Sequence, residues 1–423
     1  MSSFRVSLKT VGCRLNQAET ARIAAQFVAA GYAIVPFGAA CDACVIHGCA
    51  VTRTAELDSV RLTRRAKRAG GDPVVVLAGC PAQYAGARLQ PGAGADLLLG
   101  QCDKFRIPEI LHELHPDRFP PAHSLREQPL PPGATATRAL LKCQDGCDFR
   151  CAYCVVPDAR GPATSRPLAD IAAEARDLAY AGFREVVLTG ANLGCYRDGS
   201  HGLVDLLSAV EALDGIARVR LGSIELTTAE RDVIDHMAAA PKLCRFLHLP
   251  LQSGDDRILA SMGRRYTNAQ YRATAEYAVQ TLPQVGLGAD IIAGYPGEDE
   301  TAFEHTVALV ESLPFSNLHV FPYSPRPGTR AADLGDRVPA PLKKARVHRL
   351  LALAQEKRQR FAESFVGRDV AVLVERVKAD GTGVGWTGEY LEAQVAGPGL
   401  QTNQLAPARI RSAEGGRLRG AVH

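Results

Sequence analysis

Cys147-Asp148-Phe149-Arg150-Cys151-Ala152-Tyr153-Cys154 places three thiols within eight residues, at C-x3-C-x2-C spacing, just after the short apolar run Arg138–Lys142. Thiolates clipped this closely suit an iron–sulfur cube, because each takes one iron corner while the chain wraps one face. A cube has four irons, so one is left without a protein ligand. An open iron can be chelated by a small substrate-like molecule, which separates a catalytic cluster from an electron-transfer one. Two plainer readings compete. A structural zinc site needs a fourth ligand, which Cys143 could supply, although zinc knuckles usually come as paired CxxC units. Three unrelated core cysteines are the other, but buried thiols rarely cluster in this way.

Downstream of this loop, strand-like runs near 138–143, 184–189, 217–223, 244–249, 286–292 and 317–321 alternate with helical ones. The helices fit Leu168–Ala181, Leu203–Leu213, Ala229–Ala239, Asn268–Leu282 and Thr301–Leu313. Six such units predict an open parallel (β/α)6 barrel over 137–365, with its chemistry at the carboxyl ends of the strands. The cysteine loop follows the first strand and so lies at that end. A lysine- and arginine-rich helix, Pro341–Phe365, leads out of the barrel. From 366 to 423 the runs Val370–Val374, Tyr390–Val395 and Ala408–Arg411 alternate like strands between Gly-rich turns, which predicts a small OB-like all-β domain.

Upstream, residues 1–115 alternate strand and helix patterns and predict a small α/β domain with a mainly parallel sheet. Three Gly-Cys pairs end three of its strands: Gly12-Cys13, Gly48-Cys49 and Gly79-Cys80. Carboxyl ends of parallel strands share one edge, so these thiols can converge on a second iron–sulfur cluster. The plainer alternative is three core-adjacent cysteines. Cys44 reads as core and Cys41 precedes its strand, whereas Cys102 follows a fourth strand-like run and stays open as a ligand. Six prolines between Pro116 and Pro132 mark a stiff linker over 116–136.

A chain of 423 residues suggests two or three domains. No run of 18 apolar residues exists and Met1–Arg5 lacks an apolar signal region, which predicts a cytoplasmic protein and no membrane partner. Twelve cysteines in a reducing compartment then argue for metal or catalysis rather than disulfides. The net charge of +4 is too small to imply a polyanion partner, so its distribution matters more. Basic runs at Arg61–Arg68 and at Lys343, Lys344, Arg346, Arg349, Lys357, Arg358 and Arg360 are usually solvated helix faces. They become phosphate contacts only if other signals point to nucleic acid, as do Arg409, Arg411, Arg417 and Arg419.

The cysteine loop, with an aromatic before its last thiol, resembles that of radical S-adenosylmethionine enzymes. Taken with Val11–Gln17, Gly48–Thr52, Ala78–Cys80, Gln144–Cys154, Arg160-Gly161, Ser165-Arg166, His248–Gly254, Ile292–Glu298 and Tyr323–Thr329, the whole chain resembles the methylthiotransferase family. The resemblance implies an N-terminal cluster domain, a radical barrel and a C-terminal TRAM domain that grips RNA. It implies two [4Fe-4S] clusters, held by Cys147, Cys151 and Cys154 and by Cys13, Cys49 and Cys80. It also implies two S-adenosylmethionine molecules per turnover, one giving the methyl and one the 5′-deoxyadenosyl radical. Thr189-Gly190 and Glu225 would meet the methionyl end, and Gly294 and Tyr153 the adenine. Partners would be tRNA and a low-potential electron donor such as flavodoxin or ferredoxin. Three substrate groups exist: isopentenyl-adenosine in tRNA, a ribosomal-protein aspartate, and N6-threonylcarbamoyladenosine in tRNA. The opening Gly12–Glu19 and Leu318–Tyr323 look most like the third. A non-catalytic RNA-binding iron–sulfur protein is the alternative from another class. One departure, His47-Gly48 where the family usually has Asn-Thr, predicts a looser loop before Cys49.

Overall fold

The computed structural model describes residues 4–68, 70–85, 94–121, 136–229, 231–335 and 337–422. Most of the proline-rich segment predicted as a linker therefore lies outside the described residues. The N-terminal part comprises β1 (Arg5–Thr10), α1 (Arg14–Ala29), β2 (Ala33–Val35), β3 (Ala43–Gly48), α2 (Arg53–Lys67), β4 (Val74–Gly79), α3 (Cys80–Ala85), β5 (Leu97–Leu99) and α4 (Ile107–Leu114). Its sheet runs β2-β1-β3-β4-β5, all parallel. β3 and β4 are buried along their whole length, which is why they read as unbroken apolar runs rather than alternating ones. Ile23, Phe27, Ile107 and Leu111 cover one face, and Ala66 of α2 the other. β2, too short to show a period, is the strand that sequence patterning misses.

The second part comprises β6 (Ala139–Lys142), β7 (Gln144–Asp145), α5 (Val156–Arg160), β8 (Thr164–Ser165), α6 (Leu168–Tyr180), β9 (Glu185–Thr189), α7 (Leu203–Glu211), β10 (Arg218–Leu221), α8 (Arg231–Ala239), β11 (Phe246–His248), α9 (Asp256–Ser261), α10 (Asn268–Thr281), β12 (Gly286–Ala293), α11 (Glu300–Ser312), β13 (Phe315–Pro322) and α12 (Ala340–Glu363). Parallel sheets β10-β9-β6 and β11-β12-β13 meet where Val219 N donates to Lys242 O and Cys244 N to Val219 O, each at 2.8 Å. Among the described residues no ladder joins β6 to β13, so the barrel is open. Val186, Leu188, Val219, Leu221, Leu287, Ala289, Ile291 and Leu318 share one core with the surrounding helices. Alternation then turns Glu185, Arg218, Arg220, Asp290 and His319 toward the lumen. α1 of the N-terminal part lies against β6 and β9.

The third part is a closed barrel of β14 (Asp369–Val377), β15 (Gly383–Trp386), β16 (Glu392–Ala396), β18 (Arg417–Val422) and β17 (Leu405–Glu414), in that order. β15 escapes sequence reading because it is four residues long and half glycine, so the alternation of Val384 and Trp386 is too short to stand out. Its glycine is required: a Cβ on Gly385 would stand 1.8 Å from Leu373 O. The turn after β15 docks on the central barrel. Arg218 donates to Trp386 O at 3.0 Å, and Arg220 to Thr387 O at 2.9 Å and Gly388 O at 3.0 Å. Both guanidiniums are held by buried Glu185, at 2.9 Å each. Burial alone would raise the Glu185 pKa, but Arg220 and Arg218 outweigh it and lower it to about 2.

A depressed carboxylate contributes stability above its unfolded value and loses it as pH falls toward the folded one. Glu185→Gln should therefore flatten the loss of stability between roughly pH 4.5 and 2, and cost about 3–5 kcal/mol at neutral pH by leaving buried guanidiniums unpaired. Denaturant titration of parent and variant across pH measures both, and an unchanged acid limb would contradict this role for Glu185.

Candidate active site

Cys13, Cys49 and Cys80 follow β1, β3 and β4, so the parallel sheet delivers all three to its carboxyl edge. Cys13 is the N-cap residue of α1, where the helix dipole favours an anionic sulfur. Gly12 takes φ +106°, and a Cβ there would stand 2.5 Å from that of Cys49, so glycine is what lets the first two turns touch. Asn16 ties them together, its Nδ2 donating to Val11 O at 2.9 Å and Gly48 O at 2.7 Å. Burial pushes the Cys49 thiol up to about 12 and also raises Cys80, with the neighbouring thiols adding to both. Cys41 and Cys44 lie in the core behind the sheet, and Cys102 is exposed.

The predicted looseness before Cys49 is not what the structure shows. His47 is fully buried, with Nδ1 3.0 Å from both Asn16 O and Thr20 Oγ1. A Cβ on Gly48 would stand 2.6 Å from Pro81, so the loop is packed tightly. The imidazole supplies by tertiary contact the anchoring that an Asn-Thr turn would supply locally.

In the barrel, Cys147, Cys151 and Cys154 lie past β6 on the loop leading into α5. Val156 N donates to Cys154 Sγ at 3.4 Å. Burial raises Cys147, and Cys154 to about 12, each with the other thiols of the loop contributing. Buried thiols of this kind ionise only when a metal takes up the charge. Among the described residues, the set of three His, Cys, Asp or Glu ligand atoms all within 4.8 Å of one another is His248, Asp290 and His319, not either cysteine triad. Both triads are thus spread wider than a single zinc with bonds of about 2.3 Å could span. That spread and the all-sulfur donor sets fit polynuclear iron–sulfur clusters.

The other residues implicated by sequence gather at the same barrel end. Thr189 is buried beside Gly190, which lies against Gln144; Gln144 Oε1 accepts from Asn192 N at 2.8 Å. Asn192 is itself buried at this end of the barrel. Tyr153 and Ile292 pack on one small cluster with Ala152, Met262 and Tyr295. Gly294 takes φ +76° under the Lys343 side chain. Glu225 pairs with Arg264, a residue that sequence reading missed. The Arg264 side chain is 5% exposed, with Nη1 3.4 Å from Cys151 Sγ and Nε donating to the Tyr266 hydroxyl at 3.2 Å. Its position after a helix and a Gly carries no local signal. The lumen wall is also polar: Asp290 Oδ1 lies 3.1 Å from His319 Nδ1 and 3.3 Å from His248 Nε2.

Several of the seven basic residues of α12 are engaged within the protein, while Lys344 and Arg360 remain exposed. Arg346 is buried against Glu298 at 2.8 Å, Lys357 donates to Glu311 O at 2.9 Å and Leu313 O at 2.7 Å, and Arg349 pairs with Glu304. The helix uses its charge to fasten the barrel, because packing brings acids and carbonyls to it that lie far off in sequence.

Two family models match the chain, one described as the radical SAM superfamily over residues 141–310 and one as uncharacterized protein family UPF0004 over residues 5–100. The barrel with its cysteine loop defines a radical S-adenosylmethionine enzyme. Its fold is similar to the solved radical S-adenosylmethionine methyltransferase TsrM from Kitasatospora setae (TM-score 0.56, 15% identity, 78% of this chain and 74% of that one). The chain is 32% identical over 423 residues to threonylcarbamoyladenosine tRNA methylthiotransferase MtaB of Bacillus subtilis (strain 168), covering 96% of this chain and 94% of that protein. It is 34% identical over 424 residues to tRNA-2-methylthio-N(6)-dimethylallyladenosine synthase of Sphingopyxis alaskensis, covering 96% and 95%. The chain belongs to the methylthiotransferase family of radical S-adenosylmethionine enzymes, whose cofactors are S-adenosylmethionine and [4Fe-4S] clusters.

Replacing Cys147, Cys151 and Cys154 by Ala should abolish S-adenosylmethionine cleavage and remove about half the iron. Replacing Cys13, Cys49 and Cys80 should remove the other half and preserve cleavage. Iron analysis beside 5′-deoxyadenosine assay distinguishes them, and undiminished iron in the second variant would exclude that triad.

Proposed function

We propose that this enzyme replaces the C2 hydrogen of N6-threonylcarbamoyladenosine, at position 37 of tRNA, by a methylthio group. The observation that carries the reading is two all-cysteine triads at strand ends of two docked domains. Cys147, Cys151 and Cys154 would hold one cluster and Cys13, Cys49 and Cys80 the other. When bound, the clusters and S-adenosylmethionine supply the radical, the methyl group and the sulfur.

The chain's own residues orient and select. Glu225 would take the α-ammonium of S-adenosylmethionine and Arg264 its carboxylate, the two charges now satisfied by each other. Thr189 and Gly190 would line the methionyl end, Tyr153 and Gly294 the adenine. His248, Asp290 and His319 favour a threonylcarbamoyl group, whose ureido and hydroxyl groups can pair with them. A dimethylallyl group would gain nothing from these polar groups and would take water from them, at a cost of about 1–3 kcal/mol for a hydrogen bond left unmade. The similarity to the Bacillus subtilis enzyme supports the same substrate, and the similarity to the Sphingopyxis alaskensis enzyme makes the dimethylallyl substrate the second reading. On the C-terminal barrel, Arg409, Arg417 and Arg419 form exposed pairs with Asp369, Glu392 and Glu414. Such pairs are weak in water and can exchange for phosphates. A low-potential donor such as flavodoxin or ferredoxin would supply electrons, in the cytoplasm. No described helix is long and apolar enough to cross a membrane.

Deleting the gene should abolish the methylthio form of threonylcarbamoyladenosine in tRNA and leave the precursor to accumulate, as read by nucleoside mass spectrometry. Loss of the dimethylallyl product instead would reassign the substrate. Arg264→Ala should weaken S-adenosylmethionine binding by about tenfold or more with iron content unchanged, because a charge-assisted hydrogen bond contributes roughly 1.5–3 kcal/mol. Equal affinity in parent and variant would remove Arg264 from that role.

A further inference from the structure

A buried ionic network joins the two cysteine triads. Glu19 of α1 is 1% exposed and receives Lys104 and Lys142, each at 2.6 Å, and Arg160 at 3.2 Å. Lys142 belongs to β6 and Arg160 to α5, so the carboxylate is shared across the domain boundary. Arg160 also donates to Asp145 Oδ1 at 2.8 Å and to Asn16 Oδ1 at 2.6 Å. Asn16 in turn holds the carbonyls of Val11 and Gly48, one on each of the turns that present Cys13 and Cys49. The third N-terminal thiol meets α5 as well, since Cys80 packs with Ala50 and Ala159. α5 itself starts two residues after Cys154. One five-residue helix therefore contacts both triads, with Val156 N at Cys154, Ala159 at Cys80 and Arg160 at Asn16.

The network is also unbalanced. Lys104, Lys142 and Arg160 bring three cations against the two carboxylates Glu19 and Asp145. An uncompensated buried cation is costly unless an anion lies nearby. Cys80 packs against Ala159, the residue before Arg160, so the N-terminal triad lies next to this guanidinium. A thiolate-bound cluster is anionic and would complete the balance.

We propose that Arg160 is a positioning residue for methylthio transfer: it locks the N-terminal triad at a fixed reach from the barrel triad and places a buried positive charge behind the N-terminal cluster. This rests on the methylthiotransferase reading. Two consequences follow from the geometry. Removing the fork should misplace the sulfur-bearing site without touching the site that cleaves S-adenosylmethionine. Removing the charge should make the N-terminal cluster harder to reduce, because an electron added there loses a nearby cation.

The test uses full-length, doubly reconstituted parent, Arg160→Gln, Arg160→Lys and Asn16→Asp. Arg160→Gln should keep parental iron and S-adenosylmethionine cleavage within about twofold, while kcat for methylthiolated tRNA falls by about tenfold or more with KM for tRNA unchanged. The N-terminal cluster, read by redox titration with electron paramagnetic resonance in chains whose barrel triad is Ala, should shift to lower potential. Arg160→Lys should restore that potential but not the product rate, since a point charge cannot reproduce the fork. Asn16→Asp, which loses the two carbonyl contacts, should show the same split between cleavage and product, and serves if Arg160→Gln does not load iron. Parental product rates in Arg160→Gln and Asn16→Asp, an unshifted potential, or an equal fall in cleavage and product would each overturn the proposal. A parent that makes no methylthiolated nucleoside would refute the substrate reading instead, while the potential shift would still decide the role of the buried charge.

Discussion

Glu19 is the charge around which the halves of this enzyme close. Burial by itself would keep a carboxyl protonated, but Arg160, Lys104 and Lys142 outweigh that and hold it well below the usual carboxylate range. Two of these cations, Lys104 and Arg160, are buried partners that cannot be traded for water, while Lys142 lies at the edge, 20% exposed. Lys104 is 1% exposed and the Arg160 side chain 4%. Buried ion pairs of this kind add little net stability over an apolar contact, but breaking one is expensive. Here the pairs join α1 and Lys104 of the N-terminal part to β6 and α5 of the barrel, so docking the two parts is what gives each charge its partner.

The same device recurs where the C-terminal barrel joins. Glu185 fixes Arg218 and Arg220, and these reach out to main-chain carbonyls of the turn after β15 rather than to side chains. Tyr390 then lies against Phe246 and Trp386, each with ring centroids 4.8 Å away, and its hydroxyl accepts from Arg14. Arg14 is the residue next to Cys13. All three parts of the chain thus meet at one ring, with the C-terminal barrel one residue away from Cys13.

Much of this was legible in the sequence. The C-x3-C-x2-C loop and the three Gly-Cys strand ends are local signals, since short spacing and strand-then-glycine patterns depend only on neighbours in the chain. Five parallel strands in the order β2-β1-β3-β4-β5 were partly visible as apolar runs; β2, at three residues, and β15, built on glycines, were not. The charge runs were visible but misleading. Arg346 and Lys357 look in sequence like a cationic face, and the structure spends them on Glu298 and on carbonyls at the end of α11.

The sequence by itself determined where the clustered thiols fall: three cysteines on one loop at the carboxyl end of a barrel strand, and three more that a parallel sheet gathers at its edge. It did so because thiol spacing and backbone periodicity are properties of short segments. Only the tertiary structure decided what stands beside those thiols. Arg264 comes to Cys151 across 113 positions of chain, and Arg160 comes to Asn16 across 144. His47 replaces a local turn by packing against Glu19 and Gly79. Such contacts are set by how domains dock, and docking depends on buried charges finding partners that no short stretch of sequence contains.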